Sequence, residues 1–115
     1  MTKLHLYLKK PHFDIVSVLK EKYKFRCNES VIKHCINSAI IIKNYELIFG
    51  ELHEKCSGGC YAAKPVLELN LDKNILKQLK QFHTNYNFDE YATDDQKVSK
   101  VIRCIINFYE QEPLF

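Results

Sequence analysis

The sequence predicts a mainly α fold with a two-stranded antiparallel ribbon, built from two β-α-α repeats that share one core. Three observations predict it. The segment LHLYLKK at 4–10 matches LELNLDK at 67–73, an offset of 63 residues. Further on, VIKHCIN at 31–37 matches VIRCIIN at 101–107, an offset of 70. The chain, at 115 residues, is long enough for one ordinary core and too short for two independent domains, so a duplicated unit has to share its interior.

Each copy opens with a short stretch of period 2, Leu4, Leu6 and Leu8 in the first and Leu67, Leu69 and Leu71 in the second. Three leucines on one face and polar residues on the other make a half-buried strand. Helical spacing follows. Phe13, Val16, Leu19 and Tyr23 fall on Leu76, Leu79, Phe82 and Tyr86, and Phe25 falls on Phe88. Pro11 suits the start of this first helix, where its missing N–H is no loss, and Asn74 is the expected cap of its counterpart.

The second helix of copy one carries Val31, Ile32, Cys35, Ile36, Ala39 and Ile40 on one stripe. Its match carries Val101, Ile102, Ile105, Ile106 and Tyr109. Asn28 is the expected cap in the first copy, and Thr93 with Gln96 has the form of a capping box in the second. Nothing breaks the first of these helices before Gly50, so it is expected to run to about His53, roughly 35–40 Å. Pro113 stops the other sooner.

The change of offset places a seven-residue insertion within DEYATDDQKVS of the second copy. Gly58-Gly59 and Pro65 mark a linker. The expected organisation is repeat 1 over 1–55, a linker over 56–64 and repeat 2 over 65–115, with one core between the repeats. A lone strand leaves its backbone unsatisfied, whereas two copies pair their strands as a ribbon over four helices.

The composition, 46% hydrophobic and 27% charged, is that of a folded protein rather than a disordered one. The amino-terminal MTKLHLYLKK alternates in polarity, and the longest aliphatic run is far short of the roughly 18–20 residues of a membrane span, so a cytoplasmic protein with no membrane partner is expected. Residues 1–55 carry ten Lys/Arg against six Asp/Glu and the rest seven against eight, so the first half is basic and compatible with a polyanion. The five cysteines are irregularly spaced, and reduced thiols are the default.

His53, Cys56 and Cys60 have a spacing that can place three ligands around zinc, with a fourth from elsewhere. Three candidates do not close a tetrahedral site, so no metal and no cofactor are assigned; a Cys56–Cys60 disulfide and plain thiols are the other readings. Cys35 and Cys104 sit near the apolar stripes as small hydrophobes. His12, His34 and His83 are isolated, and surface positions account for them. No nucleophile, base and orienter stand at readable spacings and there is no glycine-rich phosphate loop, so no enzyme is expected.

The strand-helix-helix order, with the aliphatic VI(K/R) opening of its last helix in both copies, resembles the MetJ/Arc-type ribbon-helix-helix family of DNA-binding proteins. The tandem arrangement is similar in architecture to TraY-type relaxosome accessory proteins. The resemblance implies an intramolecular pseudo-dimer whose ribbon enters the major groove of double-stranded DNA. Period 2 then assigns the base-reading face to Lys3, His5, Tyr7 and Lys9 of the first strand and Glu68, Asn70 and Asp72 of the second. The family's second contact, a phosphate at the start of the last helix, maps to Asn28, Glu29, Ser30 and Lys33 in copy one and Lys97, Ser99, Lys100 and Arg103 in copy two.

The expected function is sequence-specific DNA binding, as a transcriptional repressor or a relaxosome or other DNA-processing accessory factor, with a DNA-processing protein or a second tandem unit as further partner. The alternative is a phage or plasmid inhibitor or adaptor that keeps the fold without reading DNA. Two acids on the second strand favour that alternative, as does the apolar stretch Tyr45, Leu47, Ile48, Phe49 and Leu52, should it be exposed.

Overall fold

The computed structural model describes residues 2–43, 45–51, 64–86 and 93–114. The linker over 56–63, Phe88, and the side chains of Leu47 and Leu52 lie outside the described residues, as do His53, Cys56 and Cys60. The order of elements is β1 (Thr2–Leu6), α1 (Lys10–Tyr23), α2 (Asn28–Ile42), a π-helical turn (Glu46–Glu51), β2 (Leu67–Leu71), α3 (Lys73–Asn85) and α4 (Asp94–Phe108). The described residues are therefore mainly helical, with a two-stranded antiparallel sheet. No helix among the described residues is long and apolar enough to cross a membrane.

The strands pair with Thr2 opposite Leu71, Lys3 opposite Asn70, Leu4 opposite Leu69, His5 opposite Glu68 and Leu6 opposite Leu67. Val66 N–H donates to Leu6 O at 2.9 Å and carries the ladder one step further. Alternation does the expected work: Leu4, Leu6, Leu8, Leu69 and Leu71 are buried, and Lys3, His5, Glu68 and Asn70 are exposed. One hydrophobic cluster takes in these leucines together with Val16 and Leu19 of α1, Ile32 and Ile36 of α2, Leu79 of α3 and Val101, Ile102 and Ile105 of α4.

The two halves do not use their last helices alike. In α2, His34, Asn37 and Ile41 reach solvent, whereas α4 is buried all round from Val98 to Ile106. Its neighbours are α1, α2, α3, β1 and the π turn. The π turn supplies the difference, because Ile48 and Phe49 are buried against the core. The Phe49 ring lies 4.9 Å from that of Phe82 and 5.5 Å from that of Tyr86, an aromatic contact that pins the turn to α3.

α2 is shorter than its sequence pattern suggests. It ends at Ile42, where Lys43 takes the left-handed conformation with φ 56° and donates its N–H to Ala39 O. A left-handed cap is common at helix ends but is normally glycine, so the stop is invisible to a search for Gly or Pro. The helix reaching His53 is thus replaced by a break and a turn that folds back on the core.

Two caps also differ from expectation, while Pro11 stands in the first turn of α1 as expected. Asp72, not Asn74, caps α3, its carboxylate accepting the Asn74 N–H at 2.7 Å. Cys27, not Asn28, stands at the N-cap of α2, with no side-chain cap bond. In α1 the cap position is Lys9, whose N–H donates to His12 Nδ1 at 3.1 Å. Thr93 does cap α4, accepting the Gln96 N–H at 3.2 Å. His12 and His83 are buried rather than superficial, while His34 is exposed and rests against Phe25 at 5.3 Å between centroids.

Candidate nucleic-acid interface

The outward face of the ribbon is set by the pleat. Lys3 and His5 stand on β1 and Glu68 and Asn70 on β2, all exposed. Glu68 ties three of them together: its carboxylate lies 3.2 Å from Lys3 Nζ and 3.9 Å from His5 Nδ1. These side chains are half open to water, so the pairs exchange readily for other partners and hold the face together only weakly. The face offers donors at Lys3, both senses at Asn70 and an acceptor at Glu68.

Tyr7, Lys9 and Asp72 do not belong to that face as expected. All three lie beyond the strand ends. Tyr7 is half-buried, Lys9 is the N-cap position of α1, and the Asp72 carboxylate accepts the capping bond of α3.

The free edge of β1 is closed by one face of α4. Asp95 accepts the His5 N–H at 3.2 Å, Ser99 Oγ accepts the Tyr7 N–H at 3.0 Å, and Arg103 Nη1 donates to Tyr7 O at 2.7 Å. Residues four apart on a helix stack along one side, so Asp95, Ser99 and Arg103 form a polar rail that satisfies a strand edge. Ser99, Lys100 and Arg103 are buried. They are accordingly removed as phosphate contacts, because an anion outside the protein cannot reach them. Lys97 is half-buried in a first turn that also holds Asp94 and Asp95.

The start of α2 is no better suited to phosphate. Asn28, Glu29 and Ser30 are half-buried, and Cys27 Sγ lies 3.3 Å from Ser30 Oγ, a hydrogen bond that lowers the Cys27 thiol below its usual value. The Glu29 carboxylate occupies the positive helix end itself and pairs with Lys33 at 3.3 Å. On this side of the ribbon Lys33 and Asn37 line a groove of about 150 Å³ with Asn70 and Asp72.

Behind the β1 rail lies a group of buried bases. Arg103 is fully buried with Nε and Nη2 lacking hydrogen-bond partners among the described residues, and His12 and Lys100 are buried near it. Burial first, then the charges of Arg103, Lys100 and Lys9, push the His12 imidazole down to about 4. At neutral pH the ring is therefore uncharged, which suits its role as acceptor for Lys9.

One basic feature corresponds to no sequence motif. Lys73, Lys77 and Lys80 stand on one exposed side of α3 and, with Thr2 and Asn74, line a groove of about 470 Å³ beside the start of β1. Lys80 pairs with Asp94 at 3.3 Å. The signal is present in KNILKQLK as lysines at i, i+4 and i+7, a spacing that reads as an ordinary solvated face until the fold sets it beside the ribbon.

Comparison of the chain with protein-family models, with curated proteins and with solved structures gives no match.

Proposed function

We propose that the chain binds double-stranded DNA through the outward face of the β1–β2 ribbon, its two β-α-α halves acting as the two subunits of an intramolecular pseudo-dimer. The observation that carries this is the register. His5 and Glu68, counterparts at the repeat offset of 63, face each other across the ribbon. A pairing centred on equivalent residues is what a dyad between two repeats requires.

A second pair of positions supports the same dyad. Tyr7 and Asn70 are counterparts at 63, and Arg103 and Lys33 at 70. Arg103 contacts Tyr7 across the halves, and Lys33 shares a groove with Asn70 across the halves.

An exposed two-stranded ribbon has the width of a major-groove reader. Lys3 donates to guanine, Asn70 pairs with adenine, and Glu68 accepts from the cytosine amino group. Because the paired positions differ in chemistry, the preferred site is non-palindromic. Regulation of transcription or assembly of a DNA-processing complex are both roles for such a reader.

Beside the two acids of the second strand, one feature that would favour the competing role, a protein adaptor without DNA recognition, is an exposed apolar stretch after α2. Ile48 and Phe49 are buried and Tyr45 is half-buried against the same core, which removes that surface for the described residues. Binding to random duplexes across a salt series tests the choice: a DNA-dependent shift that weakens steeply with salt supports the ribbon, and no binding at low salt refutes it. Lys3→Gln with Asn70→Ala abolishes sequence preference while the chain stays folded, since both side chains point away from the leucines.

A further inference from the structure

We propose that Lys73, Lys77 and Lys80 hold the phosphate backbone of the bound duplex on one flank of the ribbon only, so that the protein sits on DNA in a single orientation. This rests on the ribbon reading of the fold and adds the anion site that both helix starts fail to supply.

The three lysines project from one side of α3, within a groove that reaches Thr2 at the start of β1, next to the ribbon residue Lys3. Seven residues of helix span about 10 Å, long enough for the stripe to meet more than one phosphate of a DNA strand. Lys73 and Lys77 have no ion pair among the described residues, whereas Lys80 is held by Asp94 at 3.3 Å. Two lysines are thus available to exchange water and counterions for phosphate, with the third positioned beside them.

The opposite flank is built from the counterparts 63 residues earlier, Lys10, Asp14 and Ser17. There Lys10 Nζ pairs with Asp14 at 3.0 Å, and the three positions sum to no net charge. These three positions therefore differ by three charges between the halves, one of which Asp94 offsets. The helix starts cannot compensate, because Glu29 occupies one and Asp94 and Asp95 the other.

The test is fluorescence anisotropy of a random duplex with the full chain over a salt series, comparing wild type, Lys73→Gln/Lys77→Gln and Lys10→Gln. All three substituted side chains are exposed helix positions where Gln is well tolerated. Each phosphate contact contributes a salt exponent of about 0.9, which is about 8-fold in affinity near 0.1 M salt. The double variant is expected to bind about 60-fold more weakly, with its salt slope reduced by about 2, while Lys10→Gln changes affinity less than about 2-fold. Equal weakening by Lys10→Gln, or an unchanged slope in the double variant of a chain that does bind duplex, overturns the flank and leaves the ribbon standing. Loss of wild-type binding at low salt overturns both. Tighter wild-type binding to phosphatidylserine vesicles than to duplex also overturns the proposal, as the stripe would then be a membrane contact.

Discussion

Acidification should begin to destabilise this protein above the range where carboxylates protonate, and His12 is the reason. The ring is buried beside Arg103 and Lys100 and accepts a hydrogen bond from Lys9, so the fold favours its neutral form and holds it at about 4. In the unfolded chain it titrates near the ordinary value of 6.5. Between these values the unfolded state binds a proton that the folded state does not, so stability falls as pH drops. The contribution is complete above about pH 6.5 and is lost progressively towards pH 4. At about pH 4.5 the loss is about 2 kcal/mol once some solvent screening is allowed for. Urea unfolding at about pH 7 and about pH 4.5 measures it, with an expected midpoint shift of about 1–2 M. His12→Asn, which keeps an acceptor for the Lys9 N–H but cannot take up a proton, should flatten the difference. Equal losses in wild type and variant, or an NMR titration of His12 near its ordinary value, would refute the reasoning.

Two further substitutions probe the same interior. Arg103→Met gives up one hydrogen bond to Tyr7 O but removes a buried guanidinium with two nitrogens unpartnered among the described residues, so stability is expected to hold or rise by up to about 2 kcal/mol, with the His12 titration moving back up. A loss of more than about 3 kcal/mol on denaturation would show instead that the charge is well compensated. Tyr109→Phe breaks the buried 2.6 Å bond to Ser38 Oγ that joins the end of α4 to α2, and should cost about 1 kcal/mol, or about 4 °C in thermal melting. An unchanged melting temperature would mean that Ser38 is equally well served without it.

The periodic features of the sequence translate directly into structure. Period 2 at Leu4 and Leu6, and at Leu69 and Leu71, sends those side chains inward, and the stripe from Val31 to Ala39 packs as expected. What could not be read depends on tertiary geometry. Ser99, Lys100 and Arg103 look like a polar, solvent-facing part of a helix, and only the proximity of β1 turns two of them into a rail for a strand edge. The end of α2 at Lys43 uses a left-handed lysine, a choice that composition does not announce. Helix dipoles alone would suggest phosphate at both helix starts. The acids already there, Glu29, Asp94 and Asp95, oppose an anion at those ends, whereas exposed lysines line a groove on α3.

The proposed DNA binding depends on the outward face of the ribbon. Amide chemical-shift mapping of the full chain during titration with a short duplex decides that residue by residue. Perturbations concentrated on Lys3, His5, Glu68 and Asn70, and spreading to Lys73 and Lys77 but not to Lys10 and Asp14, are the predicted result. Shifts confined to surfaces away from the ribbon, or none at low salt, would contradict it.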